Sequence, residues 1–237
     1  MHELHLSDIP AWLMVMSWAS LAIGAACAMV ALIHVARHPP AMRVMTVVWP
    51  VTMLFGSVAW LWFYVRHGRA NLPDTYRRPR WASTATSASH CGAGCAMGDV
   101  GAELALAAFP WLAVVVGYGA LYQQHIIAAW TWDLVLAFLI GIALQYAAIA
   151  PMRRQSRRAS LRDAVKADTF SILSWQVGMY TVMGVVQLWL LPAWLGGPVS
   201  VLTPVFWAVM QVAMIAGFAT AFPVNAMLIR RGVKEAM

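Results

Sequence analysis

The sequence predicts an all-α integral membrane protein, a bundle of six transmembrane helices with the N-terminus and C-terminus both cytoplasmic. Three observations carry that expectation. Of 237 residues, 62% are hydrophobic and only 11% charged, with a mean hydropathy of +0.69, whereas soluble domains run about a quarter charged. Six windows of about twenty apolar residues, the length that crosses a bilayer, fall at roughly 11–36, 43–65, 100–121, 126–150, 169–195 and 204–229. The basic residues then divide unequally. With six spans, fourteen of the sixteen Lys and Arg share one face, and only Arg37 and Arg43 fall on the other. Positive loops stay cytoplasmic, which implies a multi-pass protein of the cell inner membrane.

Taken in order, Met1 to Pro10 carries Glu3 and Asp8 but no Lys or Arg. The apolar run after it is also too long for a signal core, so the first span reads as retained. Residues 1–66 form a two-helix N-terminal segment. Residues 67–98, opening on the turn signal Asn71-Leu72-Pro73-Asp74 and continuing through a Ser/Thr/Ala stretch, read as a cytoplasmic loop. Residues 99–237 read as a four-helix membrane domain, whose connection over 152–168 has the basic-apolar alternation of a surface helix. Pro50, Pro110 and Pro223 predict kinks inside spans. Trp12, Trp60, Trp62, Tyr64, Tyr122, Trp189 and Trp194 suit interfacial belts. The charge of +7 therefore reports topology and attraction to lipid headgroups. It does not indicate nucleic acid, for which the chain has no reading motif.

The sharpest local feature is His90-Cys91-Gly92-Ala93-Gly94-Cys95-Ala96-Met97-Gly98-Asp99. Thiolate and imidazole are the ligands that Cu(I) and Zn(II) prefer. Three glycines would let a loop fold those ligands around one point. Glu103 follows Asp99 by one helical turn, so His90, Cys91, Cys95, Asp99 and Glu103 form the candidate metal set. The bland alternative is an inert Gly-rich turn with Asp99 as a helix cap. Cytoplasmic thiols stay reduced, which disfavours a structural disulfide. Cys27, in mid-span, reads as a small buried hydrophobe.

A second candidate metal set is His34 and His38, one turn apart, with His125 expected on the same outer face. Their plain reading is as interfacial residues beside Arg37. Asp133 and the span glutamines are costly in a bilayer and are expected to face the bundle interior. The pairs Met179/Met183 and Met210/Met214 could pass Cu(I), although Met stripes more often fill cores.

The His90–Asp99 stretch resembles the hallmark of a bacterial integral-membrane family defined only as a domain of unknown function. Val48-Trp49-Pro50-Val51-Thr52, the run from Gln145 to Arg153, and Lys166-Ala167-Asp168-Thr169 are similar to the same family. So are Phe222-Pro223-Val224-Asn225 and the closing run Leu228 to Met237. The resemblance implies a loose association with copper. The connection near 155–162 is more basic here than the family pattern implies.

Together these features point to a membrane protein that binds or transports a transition metal, Cu(I) favoured over Zn(II), at a cytoplasmic His-Cys-x3-Cys site. A small-molecule permease, a structural membrane partner and a membrane thiol–disulfide oxidoreductase are the alternatives. No phosphate loop, metalloprotease motif or nucleophile elbow is present, so no catalytic residue is assigned and enzyme chemistry is not favoured. The expected partners are the bilayer and the metal ion, with a second copy of the chain or a metal-handling protein left open.

Overall fold

A computed structural model describes Leu4 and residues 8–73, 75–152 and 156–234. Among these residues the chain is all-helical, without a named strand. The helices are α1 (Ala11–Arg37), α2 (Met45–Phe63, running on into a π-turn at Tyr64–Gly68), α3 (Arg80–Ala108) and the short α4 (Trp111–Val115). They continue with α5 (His125–Met152), α6 (Arg157–Gly184, then a π-helical stretch Val185–Leu190), α7 (Leu191–Leu195) and α8 (Pro204–Arg230). Five stretches are long and apolar enough to cross a membrane: Ala11–Arg37, Met45–Gly68, His125–Ala150, Arg157–Leu195 and Pro204–Arg230.

Length and composition do not make α2 a straight rod. Ser57 has φ 47° and ψ −131° inside the helix, a conformation that reverses the chain. The two limbs then lie side by side. Trp49 on the first limb packs against Phe63 and Tyr64 on the second, with ring centroids 6.0 and 5.1 Å apart. His34, near the end of α1, bonds the Tyr64 hydroxyl at 2.7 Å. The second limb delivers His67 beside Trp81 at the start of α3, 4.9 Å between rings. So α2 is a re-entrant hairpin that returns to the end it started from. Such backbone is tolerated at depth only when buried in protein, and Gly56, at the reversal, is fully enclosed.

Antiparallel contacts order the remaining helices. Gly94 and Gly98 of α3 meet Gly141 and Ala137 of α5. Trp130 of α5 stacks on Tyr180 of α6 at 4.6 Å. Ser171 and Ser174 of α6 bond Asn225 and Thr220 of α8 at 2.7 and 2.6 Å. The starts of α1, α5 and α8 therefore share one end with the finish of α3 and α6. At that end the Leu4 amide donates to Pro198 O at 3.0 Å, and Trp12 lies 5.8 Å from Trp194.

Where the sequence predicts six spans, five stretches among the described residues have the length and apolarity of a span, and one of them, α2, doubles back on itself. Leu4 and Lys234 lie at opposite ends of the bundle. The charge pattern is simpler in this arrangement. Arg153 and Arg154 lie outside the described residues, and every other Lys and Arg in the chain now sits at one end. Arg37 and Arg43 cease to be exceptions. We call this the basic end.

The third span also differs from expectation. Residues 100–121 do not form one helix, because Pro110 lacks the amide that would continue α3 and the chain breaks at Phe109. Residues 80–98, expected as a cytoplasmic loop, form the first two thirds of α3. That helix is too rich in Ser, Thr and acids to look like a span, yet it is the most enclosed in the bundle: Ala82 and the whole run Thr84–Ala96 are buried.

Candidate functional site

Small residues bring α3 into the centre. A Cβ on Gly94 would stand 2.6 Å from the Gly141 Cα, and one on Gly98 would stand 2.3 Å from the Ala137 nitrogen. Gly94-x3-Gly98 against Ala137-x3-Gly141 is the small-residue packing that lets membrane helices touch backbone to backbone. The motif glycines thus serve helix contact, and the loop role expected for them is not what they do.

That close packing leaves a row of polar side chains on α3 enclosed by its neighbours. Cys91, Cys95, Asp99 and Glu103 recur every four residues, a rise of about 6 Å per step. Both thiols are completely buried, one helical turn apart on the same face of α3. His90 is equally buried, and neither ring nitrogen has a partner. Asp99 accepts a hydrogen bond from Gln176 Nε2 at 2.9 Å through one oxygen, and its other oxygen is unpartnered. Asp133 on α5 comes within electrostatic range of Asp99 and Glu103. It is fully buried with neither carboxyl oxygen bonded.

The row ends at a cavity of about 470 Å³ at the end opposite the basic one. Glu103, His125, Tyr118 and Gln187 are among its walls. Gln187 is held by the π-helical stretch after α6. Its Oε1 accepts from the Val199 amide at 3.0 Å, while its Nε2 is buried without a partner.

The candidate residues are therefore partly assembled. His90, Cys91, Cys95, Asp99 and Glu103 share one helix but are strung along it, from mid-depth to the cavity. Among the described residues no three His, Cys, Asp or Glu side chains converge to hold a metal ion. The second set is divided. His34 stacks on His38 at 4.7 Å at the basic end, whereas His125 packs against Tyr118 at 5.3 Å on the cavity at the far end. Cys27 belongs to a separate apolar cluster with Val35, Met45 and Val48. Met179, Met183, Met210 and Met214 are core filling.

One pair escaped the sequence reading. Asp168 and Lys234 form an ion pair at 2.5 Å with both side chains fully buried. In sequence Lys234 looks like one more basic residue after the last span, and only Gly232, a helix C-terminal signal, hints that the chain turns back there.

A polytopic helical membrane protein with a polar central helix is the class these features define. Within it, the chain belongs to the family DUF4396, a domain of unknown function, whose model matches residues 80–234, from the first residue of α3 to Lys234. Among curated proteins nothing matches, and among solved structures nothing matches either.

Proposed function

We propose that this protein crosses the inner membrane five times, through α1, α3, α5, α6 and α8, with the basic end in the cytoplasm. The support is the gathering of every described Lys and Arg at that end, as positive-inside insertion requires. It follows that α1 enters from the outer side. In a chain lacking its native cysteines, Asp8→Cys and Arg43→Cys then label from opposite sides of sealed vesicles. Labelling of both from one side would refute the topology.

Within that frame the protein is a carrier of a transition metal, with Cu(I) favoured over Zn(II). The observation that carries this is the pair of free, fully buried thiols one turn apart on α3, Cys91 and Cys95, preceded by the buried, unpartnered imidazole of His90. Soft thiolates select Cu(I), which is content with two ligands, whereas a closed Zn(II) site needs four. Both thiols lose their protons when the metal binds, and Cu(I) offsets one of the two thiolate charges. Asp99 and Glu103 continue the route toward the cavity.

Metal analysis of protein purified anaerobically, beside Cys91→Ser/Cys95→Ser, tests the assignment. The native protein is expected to hold copper and the double variant to lose it. Equal, near-zero copper in both would remove the metal reading. A small-molecule permease would then stand in its place, because a cavity of about 470 Å³ falls in the size range of organic ligands.

A further inference from the structure

Of the described basic residues, Lys234 alone is sealed inside the bundle. Arg230 and Arg231, at the end of α8, remain exposed. Gly232 then adopts φ +67°, and the amides of Val233 and Lys234 both donate to Leu228 O, at 3.0 and 3.3 Å. This turn folds the chain back and sends the Lys234 ammonium up between α6 and α8 to Asp168 Oδ1.

The surroundings of that ammonium are incompletely used. Asp168 Oδ2 has no partner, and neither has either nitrogen of His90, which lies within electrostatic range of both Asp168 and Lys234. An ion pair kept for stability alone has its remaining lone pairs satisfied, and a well-packed apolar pair serves as well or better. Asp168 also lies within electrostatic range of Cys95 in the cysteine row.

We propose that Asp168 is the innermost cation site of the α3 route, and that the Lys234 ammonium is a tethered cation filling it in the closed state. A cation arriving from the cysteine row takes the carboxylate. Lys234 is then released to the basic-end water, where Arg230 and Arg231 already lie. Charge at Asp168 stays balanced throughout, since one cation replaces another. The proposal rests on reading α3 as a cation route, but it does not require the cation to be copper.

The test is thiol modification in metal-free, inside-out vesicles containing the full chain with Cys27→Ser, so that only Cys91 and Cys95 react. A cationic and an anionic methanethiosulfonate of similar size are compared. In the parent protein both react slowly. Lys234→Met is expected to speed the cationic reagent by about tenfold, the middle of the range for coupled sites, with little change for the anionic one. Lys234→Arg stays slow with both. Asp168→Asn/Lys234→Met, which leaves no unpaired charge and keeps the test open if the single variant fails to fold, loses the cationic preference. Equal acceleration by both reagents would mean mere loosening and would overturn the proposal. Unchanged rates in Lys234→Met would overturn it as well. Neither result bears on copper content, so this proposal and the metal assignment fail separately.

Discussion

Asp168 and Asp133 are both carboxyl groups with no solvent exposure, yet their neighbourhoods are opposites. Asp168, toward the basic end, has an ammonium 2.5 Å away. Asp133, toward the cavity, has no donor on either oxygen and has two further acids, Asp99 and Glu103, within electrostatic range. A buried carboxylate without a counter-charge is among the costliest groups a fold can hold. One acid is thus anchored by a cation of the protein itself, while the other has no bonded partner. The difference divides the bundle into an end with an internal ion pair and an end with an unpaired acid, which is what the proposed cation route would use.

The largest effect is expected where the pair is broken. Asp168→Asn leaves Lys234 buried and unpaired, which costs about 3–5 kcal/mol. Unfolding by denaturant in detergent would show it. Adding Lys234→Met should return most of the loss, because removing both charges is far less costly than stranding one. An Asp168→Asn protein as stable as the parent would mean that the ion pair anchors nothing.

The next effect lies in the packing of α3 against α5, the helix that carries Asp133. Gly98→Ala places a methyl 2.3 Å from the Ala137 nitrogen and 2.4 Å from its Cα. Backbone cannot yield as a side chain can, so overpacking of about 1–3 kcal/mol is expected. Gly101→Ala is the control three residues on, one helical turn away. Its added methyl would meet only Leu136 Cδ1 at 3.9 Å, and alanine in mid-helix gains about 0.5–1 kcal/mol over glycine. Melting temperatures of the two variants should move in opposite directions. Movement in the same direction would show that α3 and α5 are not in backbone contact there.

How far the sequence made this visible depended on what surrounds each helix. Helices α1, α5, α6 and α8 face lipid on one side, so their apolar composition announces them. Helix α3 is ringed by other helices. It can carry Thr84, Ser87, Ser89 and His90 without meeting lipid, and a hydropathy window sees only a polar loop. Its regular spacing, Cys91-x3-Cys95-x3-Asp99-x3-Glu103, is in plain view, but the glycines among these residues suit a loop as well as a helix. The reversal at Ser57 was hidden for another reason. Both limbs of α2 are apolar, and a window average is blind to direction. Arg37 and Arg43 are the legible trace of it, since a six-window reading separates them from the other basic residues and the reversal rejoins them. The Asp168–Lys234 pair, joined across 66 positions of sequence, had no local signal beyond Gly232.

The smallest stability effect is expected at Asp133, and it decides whether the comparison stands. Asp133→Asn removes no hydrogen bond, because neither oxygen has one to lose. The change in unfolding free energy should therefore stay below about 1 kcal/mol, against the several expected at Asp168. Asp133→Leu, of similar bulk and free of the desolvated polar group, should be as stable as the parent or more so. On the proposed cation route, copper transport measured in proteoliposomes is expected to fall in both variants, because the route loses a carboxyl group beside Asp99 and Glu103. A protein that unfolds at Asp133→Asn as readily as at Asp168→Asn would show that the acid is tied to its neighbours after all. One that keeps full transport as Asp133→Leu would show that the cavity end needs no acid on α5, leaving Glu103 and Asp99 to receive the cation on the α3 row alone.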